Sequence, residues 1–160
     1  MSISGFPDPV NEKAARVVAA GVCASAVLVL ATGSQWLVPF MAVGFLLRVL
    51  SGPRFSPLGL LATKVVAPRL GEPVLVSGPP KRFAQGIGLA VTTVASLLGP
   101  ALGLAPAASV LIGVLVLFAF LESVLGFCAG CWLYGQLIRA GVVRQDSCTS
   151  CADIWAPRQA

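Results

Sequence analysis

Four apolar stretches, set apart by short or basic connections, constrain this chain more than any other feature. A helix that crosses a hydrocarbon core of roughly 30 Å needs about 20 mostly apolar residues, and its backbone must satisfy its own hydrogen bonds. The runs at about 14–32, 36–50, 84–104 and 107–127 meet or approach that length. The second is short and carries Pro39 and Arg48, the third has Pro100 near its end, and the fourth is broken only by Glu122. The expected fold is all-α and integral to a membrane. A segment 1–13 leads into a four-helix membrane domain over 14–138, with a connection at 51–83 and a tail at 139–160.

Composition agrees with that reading. Hydrophobic residues make up 57% and charged residues 11%, with mean hydropathy +0.91, whereas a soluble domain is about a quarter charged. Histidine is absent, which excludes His-ligated metal and haem sites and every nucleophile that depends on an imidazole base.

The basic residues assign the orientation. Lys13 and Arg16 precede the first span. Arg48, Arg54, Lys64, Arg69, Lys81 and Arg82 lie at or between the second and third, and Arg139, Arg144 and Arg158 follow the fourth. The connections Gly33–Gln35 and Gly103–Pro106 hold no charge. All eleven cations therefore share one side, which the positive-inside rule makes cytoplasmic, with both termini there and the lipid bilayer of the plasma membrane as the first partner. The net charge of +5 has this explanation. Dispersed cations without interleaved aromatics do not form a nucleic-acid platform. Asp8 and Glu12 stand where a basic n-region would precede the apolar run, so the first span is expected to be a retained anchor. Within 51–83, Ser56 and Pro57 are start signals for a helix, and Leu58, Leu60, Leu61, Val65 and Val66 fall mostly on one face. This predicts a short interfacial helix, with packing against the bundle as an equal account of the pattern.

Five cysteines are present. Cys23 stands alone in the first span and reads as a small packing residue. The other four form two CxxC pairs, Cys128/Cys131 beside the fourth span and Cys148/Cys151 in the tail. Residues i and i+3 on a helix are neighbours, so such a pair suits dithiol chemistry. A thiolate is favoured when the first cysteine stands at a helix N-terminus. Were the fourth span to run straight through Cys128, the thiol would meet a negative helix end instead; a break at Gly126-Phe127 would start a new helix near Cys128. Taken together the pairs give C-x2-C-x16-C-x2-C, a spacing that also suits a four-thiolate zinc site of Cys128, Cys131, Cys148 and Cys151, or an iron–sulfur centre. The first pair abuts the bilayer between anchors such as Trp132 and Tyr134, which leaves little room for a zinc knuckle, so no cofactor is expected. A cytoplasmic location also opposes a permanent disulfide.

Glu122 is an ionisable group inside a span, expensive there and functional by default. A packing role is an ion pair with Arg48, which lies at a compatible depth. On a straight helix Cys131 lies opposite Glu122 and Cys128 about 120° away, so the carboxylate is not automatically a base for the thiols.

Val10-Asn11 with Arg16, Arg48 … Gly52-Pro53 … Ser56-Pro57-Leu58, the run Pro80-Lys81-Arg82-Phe83-Ala84-Gln85-Gly86-Ile87-Gly88, and Glu122 … Gly126-Phe127-Cys128-Ala129-Gly130-Cys131 … Tyr134 together resemble the bacterial membrane family called domain of unknown function 4395. The resemblance covers roughly residues 8–136 and leaves out Cys148 and Cys151. It implies a small multi-pass protein of bacterial plasma membranes without an established activity. It also implies relatives that occur beside thioredoxin-like and sulfurtransferase proteins, which favours thiol or sulfur traffic. The expected function is thiol–disulfide redox or sulfur relay through Cys128 and Cys131 with a cytoplasmic thiol protein. A small transporter for a sulfur species or metal, with Glu122 and Arg48 lining the path, and a scaffold without catalysis are the alternatives.

The orientation is testable by labelling. In a background with the native cysteines replaced, Ser34→Cys should react with an impermeant reagent added outside intact cells and Ser77→Cys should not; the reverse pattern overturns the topology.

Overall fold

Each apolar run becomes a helix, and the boundaries follow from local chemistry. The computed structural model describes residues 8–143, so Cys148 and Cys151 lie outside the described residues. Helix α1 (Glu12–Thr32) begins at Asn11, whose Oδ1 accepts from the Lys13 amide at 3.0 Å, and ends at Gly33 with φ 68°. Helix α2 spans Leu37–Ser51. Helix α3 (Pro57–Leu61) starts as the sequence signals predict, with Pro57 in the first turn and the Ser56 hydroxyl accepting from the Gly59 amide at 3.4 Å. It continues through a wide π turn, Ala62–Val66, and a tight turn, Ala67–Leu70. Helix α4 runs from Gly78 to Ser96 and passes into a π turn, Leu97–Ala101, that holds Pro100. Helix α5 (Ala105–Phe120) likewise ends in a π turn, Leu121–Leu125. Four helical segments, Glu12–Thr32, Leu37–Leu70, Gly78–Ala101 and Ala105–Leu125, are thus long and apolar enough to cross a bilayer.

Two departures from the expected elements matter later. The third run was expected to begin near Ala84, but α4 begins at Gly78, because Pro79 and Pro80 occupy its first turn, where no N–H is needed. Lys81 and Arg82 are therefore helical. The all-α expectation also meets one exception: strands β1 (Val10–Asn11) and β2 (Leu75–Val76) form a two-residue antiparallel ladder. The Glu12 amide extends it to the Val74 carbonyl at 2.8 Å, and the Asp8 carboxylate accepts from the Gly78 amide at 3.0 Å. The ladder ties the start of α1 to the start of α4.

In the bundle α1 packs on α5 and α2 on α4, while α4 also touches α5. Val18, Val22, Ala26 and Val29 of α1 meet Ala108, Ile112, Leu115 and Ala119 of α5. Small residues recur because helices in lipid associate by close packing, with no hydrophobic drive between them. The outer surface is apolar instead: Phe40 is 73% exposed and Val110 67%, a distribution suited to hydrocarbon. Hydroxyls on the helices solve their own polarity, as Ser25, Thr32, Ser51, Thr92 and Ser96 each donate to the carbonyl four residues back at 2.7–2.8 Å.

The segment from α3 to Leu70 folds back along α1, with Leu58 against Gly21 and the Leu70 carbonyl accepting from Lys13 Nζ at 2.8 Å. Its buried residues, Gly59, Ala62 and Ala67, face protein. Of the residues expected on its apolar face, Leu58 packs against the core, while Leu61 and Val65 stay exposed.

Gly126 ends the π turn after α5 at φ 70°, and the Arg16 guanidinium fills the space a Cβ would take. Gly33 has the same hand of backbone but nothing within 4 Å of a Cβ. Alanine at either site meets left-handed strain of roughly 1–2 kcal/mol. Thermal unfolding in detergent should therefore show Gly126→Ala losing clearly more stability than Gly33→Ala, and equal losses would show that the Arg16 contact contributes nothing.

Candidate functional site

The residues after α5 do not continue its helix. The amides of Gly126 and Phe127 turn back onto the carbonyls of Glu122 and Leu121 at 3.1 and 3.2 Å, a glycine-centred helix stop. Cys128 is then extended (φ −95°, ψ 102°) and caps a new helix, α6 (Ala129–Arg139). Its carbonyl takes the first helical bond, from the Trp132 amide at 3.0 Å. The break offered by Gly126-Phe127 is the one the chain adopts, and a fourth run expected to continue to about Phe127 stops at Leu125. Cys128 stands at a positive helix end, and Cys131 lies one turn inside it.

Helix α6 is held on α4 at close range. Gly130 faces Ala84 so tightly that a Cβ would strike its backbone, and the Tyr134 ring lies 5.5 Å from that of Phe83, tilted by 51°. Trp132 is half-exposed. Cys128 and Cys131 are free thiols, 3% and 7% exposed.

Beside them is a buried ion pair. Lys81 Nζ donates to Glu122 Oε1 at 2.9 Å, with both side chains largely shielded. The expected pairing of Glu122 with Arg48 is not the one formed. The early start of α4 brings Lys81 to Glu122, while Arg48 is caged elsewhere. Its Nε donates to Gln85 Oε1 at 2.8 Å, an Nη donates to the Ser56 hydroxyl at 3.3 Å, and the guanidinium sits 4.4 Å above the Phe45 ring. Cys23 keeps its packing role, with Sγ 3.9 Å from the Val116 carbonyl.

The two thiols are electrostatically unequal. Cys128 is held below the ordinary thiol range, first because the Cys131 thiol donates a hydrogen bond to its sulfur, and then because the Lys81 charge is near; burial and the Glu122 carboxylate oppose this. Cys131 is pushed up, because it supplies that hydrogen, because it is buried, and because a Cys128 thiolate would repel its own. The pair is arranged as one nucleophile and one hydrogen-bond donor.

Lys81, Gln85 and Ser56 were not among the candidate site residues. A signal was present, since Lys81 and Gln85 stand four apart in the Pro-Lys-Arg-Phe-Ala-Gln-Gly run and so share a helix face once α4 starts at Gly78. Toward metal, Cys128 and Cys131 are two soft ligands, and no cluster of three or more His, Cys, Asp and Glu forms among the described residues. The four-thiolate set needs Cys148 and Cys151, which lie outside them.

A family model described as domain of unknown function (DUF4395) matches residues 10–139, which includes Lys81, Gln85, Glu122, Cys128 and Cys131 and leaves out Cys148 and Cys151. No curated protein and no solved structure matches the chain.

Removing one partner of a buried pair leaves the other charge uncompensated, at a cost of roughly 3 kcal/mol or more. Lys81→Met and Glu122→Gln should each lower stability in detergent, and the double variant should cost less than the sum. Arg48→Gln combined with Glu122→Gln should be additive. Coupling in the second cycle and additivity in the first would restore the Arg48 pairing.

Proposed function

The chain belongs to the family of the domain of unknown function (DUF4395), and from that premise we propose that it is a membrane dithiol–disulfide protein. Its four long apolar helices span the bacterial plasma membrane, with the basic end and both termini in the cytoplasm. Cys128 and Cys131 exchange a disulfide with a cytoplasmic thiol protein. The single observation that carries this reading is the helix restart at Cys128, which places the first cysteine at a helix N-terminus with the second one turn inside it.

The chemistry follows from that inequality. Cys128 forms the mixed disulfide with the partner, and Cys131 closes or opens the internal bridge, so two electrons and two protons pass from the dithiol of one protein to the disulfide of the other. Lys81 favours the thiolate through its charge, and Glu122 holds Lys81 in place. Both sulfurs are buried at rest, so a protein partner reaches them when α6 swings away from α4 about the joint at Gly126. The resting geometry protects the thiols, and the glycine supplies the freedom to expose them.

Purified protein lacking residues 145–160 should titrate as a two-electron couple in a glutathione ladder, and Cys128→Ser should abolish it. Thiol-trapping with pH should place Cys128 as the thiol that reacts at the lower pH, with Cys131→Ala and Lys81→Met each shifting its profile upward, since each removes a group that favours the thiolate. Zinc bound stoichiometrically and lost with either CxxC pair would make the four-thiolate reading correct. A persulfide on Cys128 would assign sulfur relay instead, and cysteine-independent uptake of a sulfur species by proteoliposomes would assign transport.

A further inference from the structure

A cavity of about 230 Å³ extends from Cys128 and Glu122 into the bundle between α1, α4 and α5. Val18, Val22 and Phe45 form its buried back wall. Ile87, Val114, Phe118 and Leu133 form its rim and are 36–45% exposed. The rim residues of α4 and α5 lie within two of the segments read above as spans, so the mouth opens toward hydrocarbon rather than water. What enters is a lipid-soluble molecule, and it meets a thiol at the far end.

The walls restrict its chemistry further. An apolar cavity of about 150 Å³ takes a benzene ring, so this one has room for a substituted single ring or two fused rings. The polar groups are few and grouped at the cysteine end. Glu122 is occupied by Lys81. Gln85 also lines the cavity, and with its Oε1 accepting from Arg48 at 2.8 Å its amide nitrogen is the group that can donate to an occupant. A flat apolar ring with a carbonyl oxygen to accept from Gln85 and a two-electron demand to match a dithiol is a quinone.

We propose that this cavity receives the ring of a lipid quinone and that the Cys128/Cys131 dithiol passes two electrons to it. The step rests on the dithiol reading above. A bond forms between the two sulfurs, and each thiol gives up one proton and one electron. The quinone carbonyls take both electrons and both protons and become the two hydroxyls of a quinol. The resulting disulfide is then reduced by the cytoplasmic dithiol partner, which leaves oxidised, so the protein links cytoplasmic thiols to the quinone pool.

The test uses full-length protein in lipid nanodiscs, reduced, freed of reductant and kept anaerobic. One arm equilibrates it with a glutathione ladder. The other adds a fully substituted decyl benzoquinone, which cannot add covalently to thiols, and follows quinol absorbance and thiol loss. The expected result is one quinol for each Cys128–Cys131 bridge, absent in Cys128→Ser. Ile87→Trp and Val114→Trp, at the lipid-facing rim, should each slow quinol formation roughly tenfold or more while leaving the glutathione midpoint unchanged. Gln85→Leu should raise the quinone concentration needed for half-maximal rate. A bridge that forms in glutathione without quinol formation, or rim variants that react as fast as the wild type, would overturn the quinone site and leave the dithiol reading standing. A bridge that forms in neither arm would overturn both.

Discussion

The ion pair between Lys81 and Glu122 joins the start of α4 to the end of α5, and the rest of the cysteine end is arranged around it. A buried charge left without its partner costs roughly 3 kcal/mol or more, so each residue requires the other. Meeting that demand sets the register of α4 against α5. It also brings both charges near Cys128, the carboxylate opposing the thiolate and the ammonium favouring it, and it occupies the carboxylate that would otherwise face the apolar cavity. One interaction therefore serves packing and electrostatics together.

Three other cations of this end, Lys13, Arg16 and Arg82, follow a common rule. In an up-and-down bundle α2 and α5 end here, as does the turn after α3, and each end presents carbonyls without helical partners. Arg82 Nε donates to the Val49 carbonyl near the end of α2 at 3.0 Å, and Lys13 Nζ to the Leu70 carbonyl at 2.8 Å. Arg16 packs on Gly126 at the end of the α5 segment. A cation beside a helix C-terminus also opposes the negative end of its dipole. The basic residues gathered at this end thus close its helices, which explains why Lys13, Arg16 and Arg82 lie within the bundle contacts rather than in free loops.

Much of the architecture was legible because lipid demands long apolar runs, and such runs cannot be hidden by local propensity. The start at Ser56 was legible as a side-chain cap, whereas the cap at Asn11, two residues before the expected run, was not. The ion pair was not, because pairing depends on helix register, and the first turn of α4 is written in Gly-Pro-Pro, residues that read as a breaker until a helix is seen to begin there. With α4 assumed to start at Ala84, Lys81 belonged to a loop and Arg48 was the nearest cation to Glu122. The cysteine pair lay between two local accounts that the motif treated equally. The straight helix and the broken one differ by the backbone hand of a single residue, Gly126, and the broken one is packed by a tertiary contact with Arg16, in the second turn of α1.

That break decides the chemistry. On a straight α5, Cys128 would sit at a helix C-terminus, where the dipole disfavours a thiolate, and Cys131 would point away from Glu122. Stopping the helix at Gly126 and restarting it at Cys128 reverses the local field within two residues. Closing the gap between α6 and α4 then requires the smallest side chains at the contact, which Gly130 and Ala84 supply. The wide turn Leu121–Leu125 lies at this junction and carries Glu122 itself. Such turns commonly occur at functional sites because they let a helix shift register without losing its hydrogen bonds. Here the added residue lets Glu122 reach Lys81 while the chain still arrives at Gly126 in position to turn.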